Sequence, residues 1–409
     1  MARKNILYVE SSSDGTVGGS HFCLLDIIKR LDRTAYNPTV VFYNDNMLVP
    51  EFREAGCKVI ILKKRRALNL LSRRSKDARD SLSGLASGPL LVIQKALNYM
   101  ITFILPALSS WKVIVRERAD LVHLNNTLVL SEHWILASLF TKARIIAHER
   151  GINTFFPPLT RSWGRFLRAV ICISGAVLAN LKKHGFPQTQ LRMIYDGLDP
   201  YAFSARVSRG RQEVLSEFGI GPGSLVIGII GNIKEWKGQK TVILAMKTVL
   251  KKYPDARCLI IGGLSDRASD SAYYESLLRT VREEGLGSSV VFTGQRSDVA
   301  SIVNALDLVV HASIEPEPFG RVNLEGMALS KPVISTTLGA GPEIIVHGLT
   351  GYTVPPGEPE PLAQSILSLL GSPEQAARMG RAGRERLMEK FHISGNIRGI
   401  EAIYREVLA

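Results

Sequence analysis

Short apolar runs recur along the chain, and between them the apolar residues fall at helical spacing. The run 5–9 predicts a first strand, and Phe22, Leu25, Ile28 and Leu31 line one face of a helix over about 20–31. Strands follow at 39–42 and 58–62, with a short helix at 50–55 between them. After an irregular stretch the alternation resumes at 121–125, 144–147, 170–174 and 191–194, and the turn-rich Tyr195-Asp196-Gly197-Leu198-Asp199-Pro200 closes this series. A second series has strands at 225–231, 257–261, 290–292, 305–313 and 331–335, and a helix from about Gly238 to Lys252. Strands alternating with helices predict parallel, doubly wound sheets. The expected fold class is therefore α/β: two facing Rossmann-like domains with an interdomain cleft, over residues 1–200 and 201–390, closed by a helix at 391–409.

The irregular stretch, about 64–110, breaks this rhythm. Lys63-Lys64-Arg65-Arg66 opens a basic cluster that continues through Arg73, Arg74 and Lys76. An apolar run from Leu90 to Pro106 follows, about 17 residues long and interrupted by Lys95 and Asn98. Two readings stand side by side. The run forms a helix lying in a membrane interface beside the basic cluster, or it covers the domain while the cluster is solvated. A membrane span is the least favoured.

Charge sharpens this picture. Of the net +14, residues 1–200 carry +13, from 28 Lys+Arg against 15 Asp+Glu. A basic half beside a neutral half points to an anionic partner. No zinc-finger spacing and no aromatic-basic RNA motif is visible, so an anionic membrane is favoured over nucleic acid. Cys23, Cys57, Cys172 and Cys258 lie far apart, which argues against a zinc site or a disulfide framework and suits a reducing cytoplasm. The first apolar run is too short for a signal peptide.

The densest chemistry is Glu317-Pro318-Phe319-Gly320-Arg321-Val322-Asn323-Leu324-Glu325, set between a buried strand and a helix. Open α/β sheets bind ligands at such places, beyond the carboxyl ends of their strands. Were the segment helical throughout, the two acids would stand about 12 Å apart along the axis, which does not suggest the facing dyad of a glycosidase. Separate tasks fit better: Glu325 accepting both hydroxyls of a ribose, Glu317 accepting those of a sugar, and helix amides meeting a diphosphate. In the loop Gly231-Asn232-Ile233-Lys234-Glu235-Trp236-Lys237-Gly238, Lys237 lies just before the helix, and from this motif alone two readings stand side by side: a lysine that reaches a phosphate, or a solvated one. No Asp-x-Asp pair occurs to hold a divalent metal, so the diphosphate charge falls to Lys237, other cations and helix amides.

At these residues the chain resembles the retaining glycosyltransferases of family 4, with the GT-B fold, over nearly its whole length apart from roughly 64–110. The acid–seven–acid motif is Glu317 to Glu325, flanked by Ser313 and Met327-Ala328, and the Lys-Gly is Lys237-Gly238. The boundary motif is Asp196-Gly197-Leu198-Asp199, and the downstream glycine–glutamate segment is Gly339-Ala340-Gly341-Pro342-Glu343. The Gly-x-x-Gly is Gly348 to Gly351, and the N-terminal glycine pair is Gly18-Gly19. The resemblance implies transfer of a hexosyl group from a UDP- or GDP-sugar with retention of configuration and no metal or other cofactor. It implies a glycan or lipid-linked glycan of the cell envelope as acceptor, no nucleic-acid partner, and a cytoplasmic protein, peripheral on the inner face of the cytoplasmic membrane. His148, Glu317 and Lys237 are the implied catalytic residues. Gly18, Gly19, Asn232, Lys237, Arg296, Phe319, Gly320, Arg321 and Glu325 are implied to bind the donor, and no residue a metal. The family usually carries Arg where this chain has Asn232, so phosphate binding would lean on Lys237, Lys234 or Arg296. A nucleotide-sugar epimerase on the same architecture and a non-catalytic membrane-associated scaffold remain alternatives. An NAD-dependent dehydrogenase is disfavoured, because the loop Ser11 to Ser20 lacks G-x-G-x-x-G.

Overall fold

The computed structural model describes residues 2–12, 17–65, 67–68, 87–129 and 131–409, without the side chains of 87–90. Arg66, Arg73, Arg74 and Lys76 of the basic cluster lie outside the described residues. The chain divides into two compact units. The first holds residues 1–172, 180–192 and 401–409, and the second 173–179 and 193–400. The main segment of the first unit thus ends ahead of the boundary expected near residue 200, and the C-terminal helix Ile393–Leu408 belongs to both units.

The first sheet has the order β3-β2-β1-β4-β5-β6-β7. Its strands are β1 (Lys4–Val9), β2 (Tyr36–Phe42), β3 (Lys58–Ile61), β4 (Leu121–Leu124), β5 (Arg144–Glu149), β6 (Ala169–Cys172) and β7 (Leu191–Met193). The pairings from β3 through β6 are parallel. Central strands are apolar and buried along their length, as a sheet covered on both faces requires. β2 starts three residues earlier than its apolar run. Pro38 is tolerated inside it because β3 pairs only from Thr39 onward, so the missing N–H breaks no bond to that neighbour.

The second sheet has the order β10-β9-β8-β11-β12-β13, parallel throughout. Its strands are β8 (Val226–Ile230), β9 (Arg257–Ile261), β10 (Val290–Gly294), β11 (Leu308–His311), β12 (Val333–Thr336) and β13 (Gly351–Val354). Ile227, Ile229, Cys258, Ile260, Leu308 and Val310 meet Val242 and Met246 of the helix Gln239–Lys252 in its core. In both sheets the strand order reverses beside the first strand, at β1/β4 and at β8/β11. Ligands bind outside the carboxyl ends of strands at such switch points.

The apolar run of the irregular stretch does not stop at Pro106. A helix at Ser87–Tyr99 passes through a π-helical turn, Met100–Ile104, into a further helix, Leu105–Arg116. Pro106 stands in the first turn after the wide π turn, where a missing N–H costs least, so the proline is carried within one continuous rod.

Candidate active site

Two strand-to-loop junctions of the second unit converge on Glu317. β8 passes into a loop whose short turn Glu235–Lys237 ends at Gly238, with φ +72°. A Cβ at Gly238 would strike the Ala312 carbonyl, so only glycine lets this loop lie against the end of β11. The Ile314 amide donates to the Trp236 carbonyl at 2.8 Å and closes the junction. Beyond His311, the last residue of β11, the loop carries Glu317 and ends at Gly320, in the left-handed region at φ +82°, from which the helix Arg321–Ala328 starts. The loop after β12 supports it from below: the Ala340 amide donates to the Glu317 carbonyl at 3.0 Å.

Three groups meet one oxygen of Glu317. Lys237 Nζ donates to Oε2 at 2.6 Å and Ser313 Oγ at 3.1 Å, while His311 Nε2 lies 3.3 Å away. Oε1 takes none of the three. His311 Nδ1 stands 3.2 Å from Ser335 Oγ, so a proton on Nε2 satisfies both ring nitrogens. The Lys237 ammonium also sits 4.1 Å from the Trp236 ring centroid. Burial by itself would raise the Glu317 carboxyl. The Lys237 charge and the His311 hydrogen bond outweigh it and hold the group well below the usual carboxylate range. Glu317 is therefore an ionised carboxylate at neutral pH, with one oxygen neutralised and the other available.

The remaining second-unit residues occupy distinct places. Glu325 stands on the helix Arg321–Ala328, 3.7 Å from Arg321 Nε. Phe319 is buried with its ring near Tyr195 and Phe391, so it anchors the loop. The Asn232 carbonyl accepts from Gln239 Nε2 at 3.1 Å. Arg296 is committed elsewhere, to Glu217 at 2.7 Å and Asp298 at 2.8 Å, and those ion pairs must open before it can meet a phosphate. Among the described residues, no three His, Cys, Asp or Glu side chains gather as a metal site.

In the first unit, Gly18 and Gly19 open the helix Gly19–Arg30 after β1. A Cβ at either would meet nothing within 4 Å, so packing does not require these glycines. His148, fully buried on β5, stacks on His123 with ring centroids 5.5 Å apart. Arg150 Nη2 lies 3.3 Å from His148 Nδ1; the guanidinium can only donate, so the ring proton belongs on Nε2. Burial, then the charge of Arg150, holds this imidazole neutral.

The neighbouring Glu149 yields a testable pH dependence. Its carboxylate accepts from the Leu128 amide at 2.9 Å, Asn153 Nδ2 at 3.1 Å and the Gly151 amide at 3.2 Å. Burial nonetheless pushes it up to about 7 from an ordinary 4.5. Between those values the native state holds a proton that the unfolded chain has released. The contribution to stability is therefore full below the ordinary value and is lost as pH rises through about 7. Each pKa unit is worth about 1.4 kcal/mol, so the decline should reach a few kcal/mol. Urea unfolding across this interval should show that decline in the native protein and a flatter profile in Glu149→Gln; equal slopes would refute the assignment.

The sequence profile of glycosyl transferases group 1 matches residues 211–386, and that of glycosyltransferase family 4 matches residues 17–201. The chain belongs to glycosyltransferase family 4. N-acetyl-alpha-D-glucosaminyl L-malate synthase of Bacillus anthracis is 29% identical over 222 residues, 54% of this chain and 55% of that protein. D-inositol 3-phosphate glycosyltransferase of Segniliparus rotundus is 29% identical over 195 residues, 47% of this chain and 42% of that protein. The chain thus spans about half the length of these curated relatives. The lipopolysaccharide core biosynthesis mannosyltransferase LpsB of Rhizobium meliloti is 26% identical over 353 residues, covering 81% of this chain and 96% of LpsB. Among solved structures, Alr3699/HepE of Anabaena in complex with UDP-glucose superposes with TM-score 0.79 at 22% identity, covering 98% of this chain and 99% of that one. A glycosyltransferase from Rickettsia africae superposes with TM-score 0.80 at 20% identity, covering 100% and 99%. At these identities the likeness is one of fold, and the fold is GT-B.

Two groups of side chains in this family 4 chain escaped the sequence reading. His311 closes β11 and pairs with Ser335, next to last in the adjacent β12, and both are absorbed into their apolar runs. At the ends of β1 and β4 in the first unit, the Glu10 carboxylate accepts from Asn125 Nδ2 at 2.7 Å and Asn126 Nδ2 at 3.0 Å. At Glu10, Asn125 and His311 the available signal was a polar residue directly after, or closing, a buried strand.

Proposed function

We propose that this family 4 glycosyltransferase moves a hexosyl group from a nucleotide-diphosphate sugar to a glycan or lipid-linked glycan of the cell envelope, with retention of configuration. The carrying observation is Glu317, ionised, with Oε2 occupied by Lys237, His311 and Ser313 and Oε1 left to accept sugar hydroxyls. Lys237, freed from Glu317 by an incoming donor, meets the diphosphate. The bond from sugar C1 to the diphosphate oxygen breaks, a bond from C1 to the acceptor hydroxyl oxygen forms on the same face, and the hydroxyl proton leaves with the diphosphate. Pre-set charge at Lys237 and the amides at the start of the helix Arg321–Ala328 stabilise the leaving group without a metal. Glu325 takes the ribose hydroxyls. His148, neutral with its proton on Nε2, donates to the donor sugar, and Gly18 and Gly19 let the protein backbone approach the phosphate or acceptor.

The relatives support this reading: LpsB is a mannosyltransferase of lipopolysaccharide core biosynthesis, and Alr3699/HepE is solved with UDP-glucose. Four buried, free cysteines suit a cytoplasmic protein. The test is thermal stabilisation across a panel of UDP- and GDP-sugars, followed by NMR of the anomeric proton in the product. Stabilisation by none of them, or an inverted product, would overturn the reading. Epimerisation of the donor without an acceptor would replace transfer with the epimerase alternative.

The position of Asn232 gives a second test. Asn232→Arg places a fixed cation beside the Lys237 loop and is expected to tighten donor binding by roughly 1 kcal/mol, about fivefold. Calorimetric titration measures it, and an unchanged or weaker affinity would show that the site does not use this position.

A further inference from the structure

The helical rod over Leu91–Arg116 is inside out for a protein in water. In its first half Gln94 and Asn98, one turn apart, are the half-buried positions, whereas Leu91, Val92, Ile93, Leu97 and Met100 are exposed, Val92 to 66%. Asn98 turns inward to grip the chain: its Nδ2 donates to the Leu68 carbonyl at 3.0 Å and its Oδ1 accepts from the Leu68 amide at 2.7 Å. In the second half Phe103, Ala107, Ser110, Val113 and Ile114 are buried and fix the rod to the first unit. The opposite side carries exposed Leu108, Trp111 and Val115. Ile93, Leu97, Met100, Ile104, Leu108, Trp111 and Val115 recur every three or four residues and form a single stripe ~33 Å long. Only 6% of the most apolar window of this rod is buried, so it is not a core helix.

The surroundings select the occupant. From Ser87 to Arg116 there is no Asp or Glu, and Lys95 and Lys112 are exposed along the stripe, while Arg116 at its end pairs with Glu117 at 2.9 Å. The Asn98–Leu68 clamp holds the exposed Lys63-Lys64-Arg65 segment within a few residues of the rod. On the buried side of the rod Phe103 contacts Trp163, which contacts Phe166, a half-exposed aromatic flanked by the exposed Arg165 and Arg168. Apolar side chains with aromatics among them and cations at the margin match the acyl boundary and headgroups of an anionic bilayer. A second copy of the chain would bring the same positive charge to the same place.

We propose that this rod is a membrane-docking element that lies in the plane of an anionic bilayer surface, its stripe buried among the acyl chains and its lysines and arginines among the headgroups. It does not span the bilayer. Its second half is packed on the protein, and five residues after Arg116 the chain enters β4 inside the sheet. This inference does not rest on the transfer reaction.

Flotation of the full chain with vesicles tests it without donor or acceptor. Vesicles of phosphatidylcholine with phosphatidylglycerol should bind the protein at least tenfold more tightly than phosphatidylcholine alone, with release at high salt. Trp111 fluorescence should shift to the blue, a change lost in Trp111→Phe. The pair Leu97→Glu with Met100→Glu, on exposed positions, should reduce binding tenfold or more while circular dichroism and thermal stability stay unchanged. Absence of binding at low salt overturns the proposal, as does equal binding by the double variant. Resistance to alkaline carbonate extraction would show a span and overturn the in-plane arrangement. A dimer in light scattering that the double variant dissociates, without vesicle binding, would assign the stripe to a second copy and overturn it as well.

Discussion

Glu317→Gln is expected to lower sugar transfer by roughly 10²–10³-fold, the loss typical when one pre-set electrostatic group is removed from an active site. The shape is kept and the charge is lost, so Lys237 Nζ, 2.6 Å from Oε2 in the native protein, is left as a shielded cation without a counter-charge. Lys237→Ala is expected to cost a similar factor from the opposite side, since it leaves Glu317 with only His311 and Ser313. Because both side chains act through one oxygen, the double variant should lose much less than the product of the single losses. Initial rates with a saturating donor settle this. A Glu317→Gln rate within about threefold of wild type, or fully multiplicative losses, would remove the pair from the reaction. A stability profile gives an independent reading. The Glu317 carboxyl is depressed in the fold, so its contribution is complete above the ordinary value of 4.5 and is lost as pH falls below it. That acid-side loss should be absent in Glu317→Gln.

Gly339→Ala is expected to cost about 4 kcal/mol or more and to displace Glu317. Gly339 sits at φ +59°, where an L side chain is strained, and its Cβ would stand only 2.6 Å from the Glu317 amide nitrogen, with the Glu317 carbonyl closer still. Backbone cannot swing aside as the end of a flexible side chain can. Gly348 supplies the control. Its φ is +78°, yet a Cβ there meets nothing within 4 Å, so Gly348→Ala should cost only the ~1 kcal/mol of the backbone conformation. Denaturant unfolding of the two variants separates strain from collision. Equal costs would mean that the loops around Glu317 are not packed as tightly as described.

The second-unit site was legible because its chemistry is local. Glu317 and Lys237 each sit in a loop punctuated by glycines directly after an apolar strand, and a strand-end loop in a parallel sheet has few places to go. His311 was not legible. It closes the run Leu308–His311, and a histidine there has the same appearance whether it fills the core or turns toward an acid six residues on. The Glu10, Asn125 and Asn126 cluster was hidden for another reason. Its members are over a hundred residues apart, and only the order β2-β1-β4-β5 makes β1 and β4 neighbours. Sheet order is set by how helices cover the two faces, which no window of sequence contains. The rod through Pro106 misled differently: local rules end a helix near proline, and the extra residue of the π turn before it removes the conflict.

The C-terminal helix has a bearing on biosynthesis. Tyr404 is fully buried in the first unit, its hydroxyl 2.9 Å from that of Tyr8 and 2.6 Å from His123 Nδ1. Residues 401–409 leave the ribosome after the whole of the second unit, so the first unit waits, with the space beside Tyr8 and His123 unfilled, until they arrive. The unit begun first is thus completed only after the other has been made.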